Sequence, residues 1–305
     1  MKISSFGGLI VAANEERAFP LQKVGKATAL SRIVTSMQQA GIFPIVILSG
    51  AKDEFRYQLS SRGVIFLQQD QPAPELFESA KRGFSFLQDC CKRIVYTPVN
   101  FPLFSVQTLR TLMKTDGDII TPSYRGNGGH PIVISDEVIS EILMYSGNHG
   151  LRGALASMEK RRVWVNVEDS GMLQSVRTGG SLDQHINGRE EDSLHLSAEV
   201  KLKEHDIIFD SRTKLLLFLI WKNSSVKTAC RQMAISYSKA WDMLNGLEDS
   251  LKTKFISRRH GGANGGRSTL TEQGLRFLIE YQQMEEDVFQ YASKKLEGLK
   301  LTLQL

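Results

Sequence analysis

The sequence predicts an α/β N-terminal domain on a mostly parallel sheet, followed by a smaller, mainly helical domain that ends in one long helix. Three observations carry this expectation. Apolar runs of strand length alternate with helix-period segments over residues 1–190. A polar, charged stretch near 190–197 (EEDSLHLS) interrupts them. Beyond it, helical spacing dominates and is broken once, by the glycine-rich HGGANGG at 260–266.

The elements follow in order. GGLIVAA at 7–13 is an apolar run that fits a strand buried on both faces, and NEERAFPLQKVG at 14–25 reads as a loop. Residues 28–41 place Leu30, Ile33, Val34 and Met37 at helical spacing, and PIVILSG at 44–50 is a second buried strand. VIFLQ at 64–68 is a third, followed by a helix over 74–87. RIVYTPV at 93–99 runs directly into Asn100, and a helix starts near Ser105. DIITP at 118–122 leads into the hairpin-like SYRGNGGHPIVIS; helices follow near 137–144 and 151–158, then the alternating strand RRVWVNVE at 161–168. The alternation predicts a Rossmann-like sheet with helices on both faces, and ligands at the carboxyl ends of its strands. A last short helix at 182–186 closes this domain, with a linker at 191–204.

The second domain is expected over 205–305. KLKEHDIIF at 201–209 is a short strand or helix lead-in, and the first helix runs over 210–221. Ser224 or Ser225 is suited to cap the next helix, where Val226, Ala229, Cys230 and Met233 share a face. Ala234-Ile235-Ser236 is a tight turn. Ser236 then caps a helix whose Ala240, Trp241, Leu244 and Leu247 fall on one core face, while Tyr237, Ser238, Lys239 and Asp242 point outward at its start. β-prone runs at 254–258 and 268–270 flank the glycine-rich tip. This order is that of a winged helix-turn-helix, in which the start of the second helix enters a major groove of double-stranded DNA. Ser236, Tyr237, Ser238 and Lys239 are the expected groove residues, with Arg258, Arg259, His260 and Arg267 on the hairpin near phosphates or a minor groove. Residues 271–299 keep Leu275, Leu278, Ile279, Met284, Val288, Tyr291 and Leu296 at helical spacing, more apolar face than a small domain buries, and Gly298 is placed to end the helix.

Charge supports this division. Residues 201–305 hold 17 Lys and Arg against 12 Asp and Glu, whereas residues 1–200 hold 21 of each, so the net +5 belongs to the C-terminal part. Eight basic residues face three acidic ones between 225 and 270. Cys90, Cys91 and Cys230 have neither zinc-site nor disulfide spacing, which suits free thiols in a reducing cytoplasm. The apolar run after Met1-Lys2 is too short for a signal peptide, and no run reaches membrane-spanning length.

ISYSKAWDMLNGLE, the glycine-rich tip and LTEQG leading a long helix together resemble the DNA-binding domain of ModE-type molybdate-responsive regulators, over residues 205–297. The resemblance implies a homodimer paired through the C-terminal helix. Over residues 1–190, LIVAA, PLQKVGKATALSRIVTSMQQAGIFPIVILSG, TPVNFPLFSVQTLRTL and RGNGGHPIVIS followed by YSGNHGLRGALASM resemble the MobA/MocA-like NTP transferases of molybdenum-cofactor synthesis. That resemblance implies a nucleotidyltransferase fold and transfer of a nucleotidyl group from CTP or GTP to molybdopterin with release of pyrophosphate, assisted by Mg²⁺. Its pocket would fall on Ala12, Ala13, Asn14, Arg17, Asn100 and His130.

The sequence departs from that family where its chemistry is concentrated. The family's glycine-bearing first loop is replaced by AANEERAFP, in which Arg17 matches the family arginine and only Lys23 or Lys26 is left to replace its lysine. Asn100 stands where the family has a metal-binding aspartate, and QSVRTGGS at 174–181 lacks the carboxylates of its later acidic segment. Asn100, Arg17, Lys23 and Lys26 are therefore degenerate positions. The expectation is a regulator whose N-terminal domain senses a molybdopterin-type compound or a nucleotide, with no metal site and no turnover. The alternative is an active Mg²⁺-dependent cytidylyl- or guanylyltransferase that carries a regulatory domain.

Overall fold

The structure is a computed structural model. It describes residues 2–12, 19–50, 55–69, 76–176, 196, 198–259 and 267–303. Contacts divide the chain into two compact units, Met1–Phe55 with Leu67–His195, and Arg56–Phe66 with Leu196–Leu305.

The first unit begins with β1 (Ser4–Val11), a two-residue hairpin of β2 (Lys23–Val24) and β3 (Ala27–Thr28), α1 (Ala29–Gln39) and β4 (Ile45–Gly50). In chain order α2 (Phe55–Leu59) and β5 (Ile65–Gln69) come next, residues 56–66 of them counting with the second unit, and then α3 (Leu76–Gln88), β6 (Cys91–Pro98) and α4 (Val106–Lys114). β7 (Ile119–Tyr124), β8 (Asn127–Gly128), β9 (Ile132–Ser135), α5 (Asp136–Met144), α6 (Gly150–Ser157) and β10 (Arg162–Asn166) complete the series. The sheet has the order β10-β7-β9-β6-β1-β4-β5, with β8 paired to β7. β1 runs parallel to β4 and β6, and β7 to β10; β9 lies antiparallel between β6 and β7. The mostly parallel sheet is as expected.

Local signals place these helices. Thr28, Ser105 and Ser135 each accept an N–H from the first turn that follows, capping α1, α4 and α5. Leu9, Ile10, Val11, Val46, Ile47 and Leu48 are fully buried, and each contributes about 1.5–3 kcal/mol of apolar transfer energy. α3 crosses directly over β1, because Gly83 has no side chain; a Cβ there would lie 2.2 Å from Leu9 Cδ1. The expected 14–25 loop is shorter than predicted at its end, since Lys23–Thr28 fold into the small hairpin around Gly25 (φ 67°). The 182–186 helix lies outside the described residues.

The second unit contains β11 (Leu202–Lys203) paired with β12 (Ile207–Phe209), α7 (Ser211–Asn223), α8 (Val226–Met233), α9 (Tyr237–Leu251), the antiparallel hairpin β13 (Ile256–Arg259) and β14 (Arg267–Leu270), and α10 (Glu272–Leu303). The lead-in at 201–209 is thus a hairpin, and β11 begins within the expected linker. Its core gathers Leu215 to Ile220 of α7, Ala229 and Met233 of α8, Leu244 and Leu247 of α9, and Leu278 and Tyr281 of α10. Phe209 meets Phe277 and Tyr281 edge to face at 4.9 and 4.6 Å.

Two expectations change here. α10 passes through Gly298 to Leu303: a glycine costs only about 1 kcal/mol in a helix interior, too little to stop one that long. Trp241 is half-buried and not a core residue, because Ala240, Leu244 and Leu247 already fill that side of α9. Lys214 is buried on α7, where its ammonium donates to Gln282 Oε1 at 2.9 Å and pairs with Glu285 of α10. Burial pushes this lysine down, and Glu285 opposes the shift. Among the described residues no helix is long and apolar enough to cross a membrane.

Candidate functional sites

In the first unit the carboxyl ends of β1 and β6 meet the start of β9. Val99 N–H donates to Val11 O at 3.0 Å and Ala12 N–H to Leu48 O at 3.1 Å, so the strands stay joined to their tips. Asn100, buried, follows β6. Its Nδ2 donates to Ser175 Oγ at 2.8 Å, and its carbonyl accepts Val176 N–H at 2.8 Å.

His130 donates its backbone N–H to Met172 O at 3.0 Å. Its ring sits 4.6 Å from Phe101 and 5.9 Å from Tyr96. Nδ1 is buried with no hydrogen-bond partner, and burial lowers the imidazole to about 4, so it is neutral at pH 7. The preceding Gly129 is required by close approach, since a Cβ would stand 2.4 Å from the Met172 carbonyl oxygen. Asp169 organises the 169–176 segment. One carboxylate oxygen accepts from Ser105 N–H (2.8 Å) and Thr108 Oγ1 (2.7 Å), and the other from Gly171 N–H (3.0 Å). Asp169 and Met172 escaped the sequence reading as parts of this site, whereas Ser175 lies in the 174–181 segment matched to the family's later acidic stretch; Asp-Ser-Gly is an Asx-turn signature that marks the first of them.

The structure thus brings together Asn100 and His130, through the 172–176 segment, near the strand tip that bears Ala12. Lys23 and Lys26 are exposed on the β2–β3 hairpin. Ala13, Asn14 and Arg17 lie outside the described residues. Mg²⁺ over a triphosphate calls for charged oxygen ligands. Asn100 offers a neutral amide already bonded to Ser175, and both Asp169 oxygens already accept hydrogen bonds, one from the start of α4 and the other from Gly171. These residues do not fit such an ion.

In the second unit, Ser225 Oγ accepts Thr228 N–H and Ser236 Oγ accepts Lys239 N–H, each at 3.2 Å, capping α8 and α9. Ala234 (φ 53°) turns the chain between them in the left-handed region. Ser236, Tyr237, Ser238 and Lys239 are all exposed, as expected. Lys239 also borders an open groove of about 340 Å³ that includes Asp206, Asp210, Arg212, Asp242 and Met243.

The β13–β14 hairpin is fastened at both strands. Glu248 of α9, buried, accepts Phe255 N–H at 2.9 Å and Ile256 N–H at 3.0 Å through Oε1, and pairs with Lys254 at 2.7 Å through Oε2. Burial pushes its carboxyl up, but the Lys254 ammonium and the two N–H groups more than offset this and leave it below its ordinary value. On the other strand, Ser224 accepts Ser268 N–H through its carbonyl (3.2 Å) and Arg267 Nη2 through Oγ (3.3 Å). Arg258 is exposed, with its guanidinium carbon 3.7 Å from the Trp241 ring centroid. Arg259 pairs with Arg267 in the strand register; His260 lies outside the described residues.

The first unit is a mostly parallel sheet flanked by helices, and the second is a turn-linked helix pair with a hairpin and a long helix. Residues 20–163 match the family model of the MobA-like NTP transferase domain. The C-terminal region is similar to molybdenum-related proteins. The molybdenum-pterin-binding protein MopB of Rhodobacter capsulatus is 29% identical over 86 residues, 28% of this chain and 32% of its own. The transcriptional regulator ModE of Haemophilus influenzae is 31% identical over 86 residues, 28% of this chain and 33% of its own. The DNA-binding transcriptional dual regulator ModE of Escherichia coli is 28% identical over 104 residues, 32% of this chain and 40% of its own. The chain therefore spans well under half the length of these relatives. Among solved structures, a nucleotidyl transferase from Methanothermobacter thermautotroptrophicus aligns with TM-score 0.49 and 18% identity over 56% of this chain and 91% of its own.

Proposed function

We propose that this protein is a dimeric DNA-binding regulator of molybdenum-cofactor or molybdate metabolism. A degenerate nucleotidyltransferase-like domain (1–190) serves as its ligand sensor, and a linker (191–204) joins it to a winged helix-turn-helix domain (205–305). The observation that carries the reading is the start of α9: Ser236, Tyr237, Ser238 and Lys239 stand exposed on a capped helix end, beside Arg258 on the hairpin. This is the end that a major groove receives in a helix-turn-helix, and the hairpin arginines are placed for phosphates. The similarity to ModE proteins supports the same reading.

The sensor half rests on Asn100, whose neutral amide is engaged by Ser175 where turnover requires a carboxylate on Mg²⁺. A molybdopterin-type compound or a nucleotide is the proposed ligand, held near Asn100 and His130. Dimerisation is assigned to α10, which exposes Met284, Val288, Tyr291 and Leu299. A mobility-shift titration with the DNA upstream of the protein's own coding sequence tests the reading. Sequence-preferring binding at moderate salt is expected, and Lys239→Ala or Arg258→Ala weakens the binding. Equal binding to scrambled duplex refutes it.

The family match over 20–163 favours a second reading, an active molybdenum-cofactor cytidylyl- or guanylyltransferase that carries a regulatory domain. Pyrophosphate release from CTP or GTP with molybdopterin and Mg²⁺ present would establish it.

A further inference from the structure

On the exposed side of the second unit, three side chains from two elements form one stack. Tyr237 and Trp241 lie one turn apart on α9 and meet edge to face at 5.9 Å. Arg258, on β13, lays its guanidinium over the indole at 3.7 Å from the ring centroid. Tyr237 is 54% exposed, and Trp241 is not consumed by the core. Arg258 pairs with no carboxylate among the described residues. An exposed arginine ordinarily samples many rotamers, so an indole that holds it removes freedom before any partner arrives.

We propose that Trp241 is a positioning residue for DNA contact by Arg258. The indole fixes the guanidinium beside the first turn of α9, so that helix and hairpin meet a duplex as one surface, with Arg258 on a phosphate. The inference rests on the DNA-binding reading above. Stacking occupies the face of a guanidinium and leaves its in-plane N–H donors free, which is what a phosphate oxygen needs. Trp241 itself is poorly placed to stack on a base, because Arg258 covers one face and Tyr237 abuts its ring.

A double-mutant cycle on the full chain tests this. Wild type, Trp241→Leu, Arg258→Ala and the double variant are titrated with the DNA upstream of the protein's own coding sequence, and with a scrambled duplex, over a range of salt. Trp241→Leu is expected to weaken binding about two- to fivefold when Arg258 is present, the value of an exposed cation–π pair, and not at all when Arg258→Ala has already been made. Arg258→Ala lowers the slope of log affinity against log salt by about 0.9, one phosphate contact. Circular dichroism confirms folding. Trp241→Phe, with a weaker ring, runs the same cycle if the leucine variant loses helix, and gives an intermediate loss. Equal losses whether or not Arg258 is present make Trp241 merely structural and overturn the inference while leaving DNA binding intact. No sequence preference by wild type overturns both.

Discussion

Glu248→Ala and Glu248→Gln separate what the buried carboxylate does for the hairpin. In the alanine variant, Phe255 and Ile256 N–H groups lose their acceptor in a buried setting. At about 1–3 kcal/mol for each of the two orphaned donors, the expected loss is about 2–6 kcal/mol. Glutamine keeps an amide oxygen where Oε1 accepts both donors and gives up only the pairing with the solvent-exposed Lys254, so it costs about 1 kcal/mol or less. The acidic side of the stability profile changes too. The folded state holds this carboxyl below its ordinary 4.5, so the unfolded chain binds the proton more readily. The contribution is complete above that value and is lost as pH falls through the folded one. Urea titration followed by tryptophan fluorescence reads the transition, since Trp221 and Trp241 both lie in this unit. Equal losses in the two variants, or a loss under about 0.5 kcal/mol in the alanine variant, refute the assignment of Glu248 as hairpin anchor.

Three further outcomes are expected. Lys214→Ala strands Glu285 and Gln282 and destabilises by about 3–5 kcal/mol, whereas Lys214→Met with Glu285→Leu recovers most of the loss; thermal unfolding compares them. His130 stays neutral down to about pH 4, so its imidazole resonances do not titrate between pH 8 and 5. Because this folded value lies below the unfolded one, stability from His130 is complete above about pH 6.5 and declines as pH falls toward 4. Val288→Glu with Tyr291→Glu, both exposed within the chain, tests the proposed pairing of α10: sedimentation shifts toward a monomer and the thermal transition loses its dependence on protein concentration.

Much of the fold was legible because its signals are local. The apolar runs of β1, β4 and β6 announce strands buried on both faces, and Thr28, Ser105, Ser225 and Ser236 mark helix starts by chemistry that acts within three residues. Strand direction is not local: IVIS reads as a strand, but nothing in it says that β9 inserts antiparallel between β6 and β7. Trp241 fits the apolar face of α9 by spacing, yet its partner is an arginine from a strand that arrives later in the chain. At the first-unit site, Asn100 was readable as a replaced carboxylate. Its bond to Ser175 was not, because 75 residues separate them.

α10 carries one more consequence. Its 32 residues span about 48 Å, and past Gln282 none of its described side chains is buried. The roughly twenty residues that remain, held to the unit at their start by the Glu285–Lys214 ion pair, are little longer than the length at which a lone helix persists in water. Under the proposed pairing of α10 with a second copy, a diluted protomer would fray from the C-terminus inward, so far-ultraviolet ellipticity ought to decline on dilution while the indole signal of the second unit holds steady.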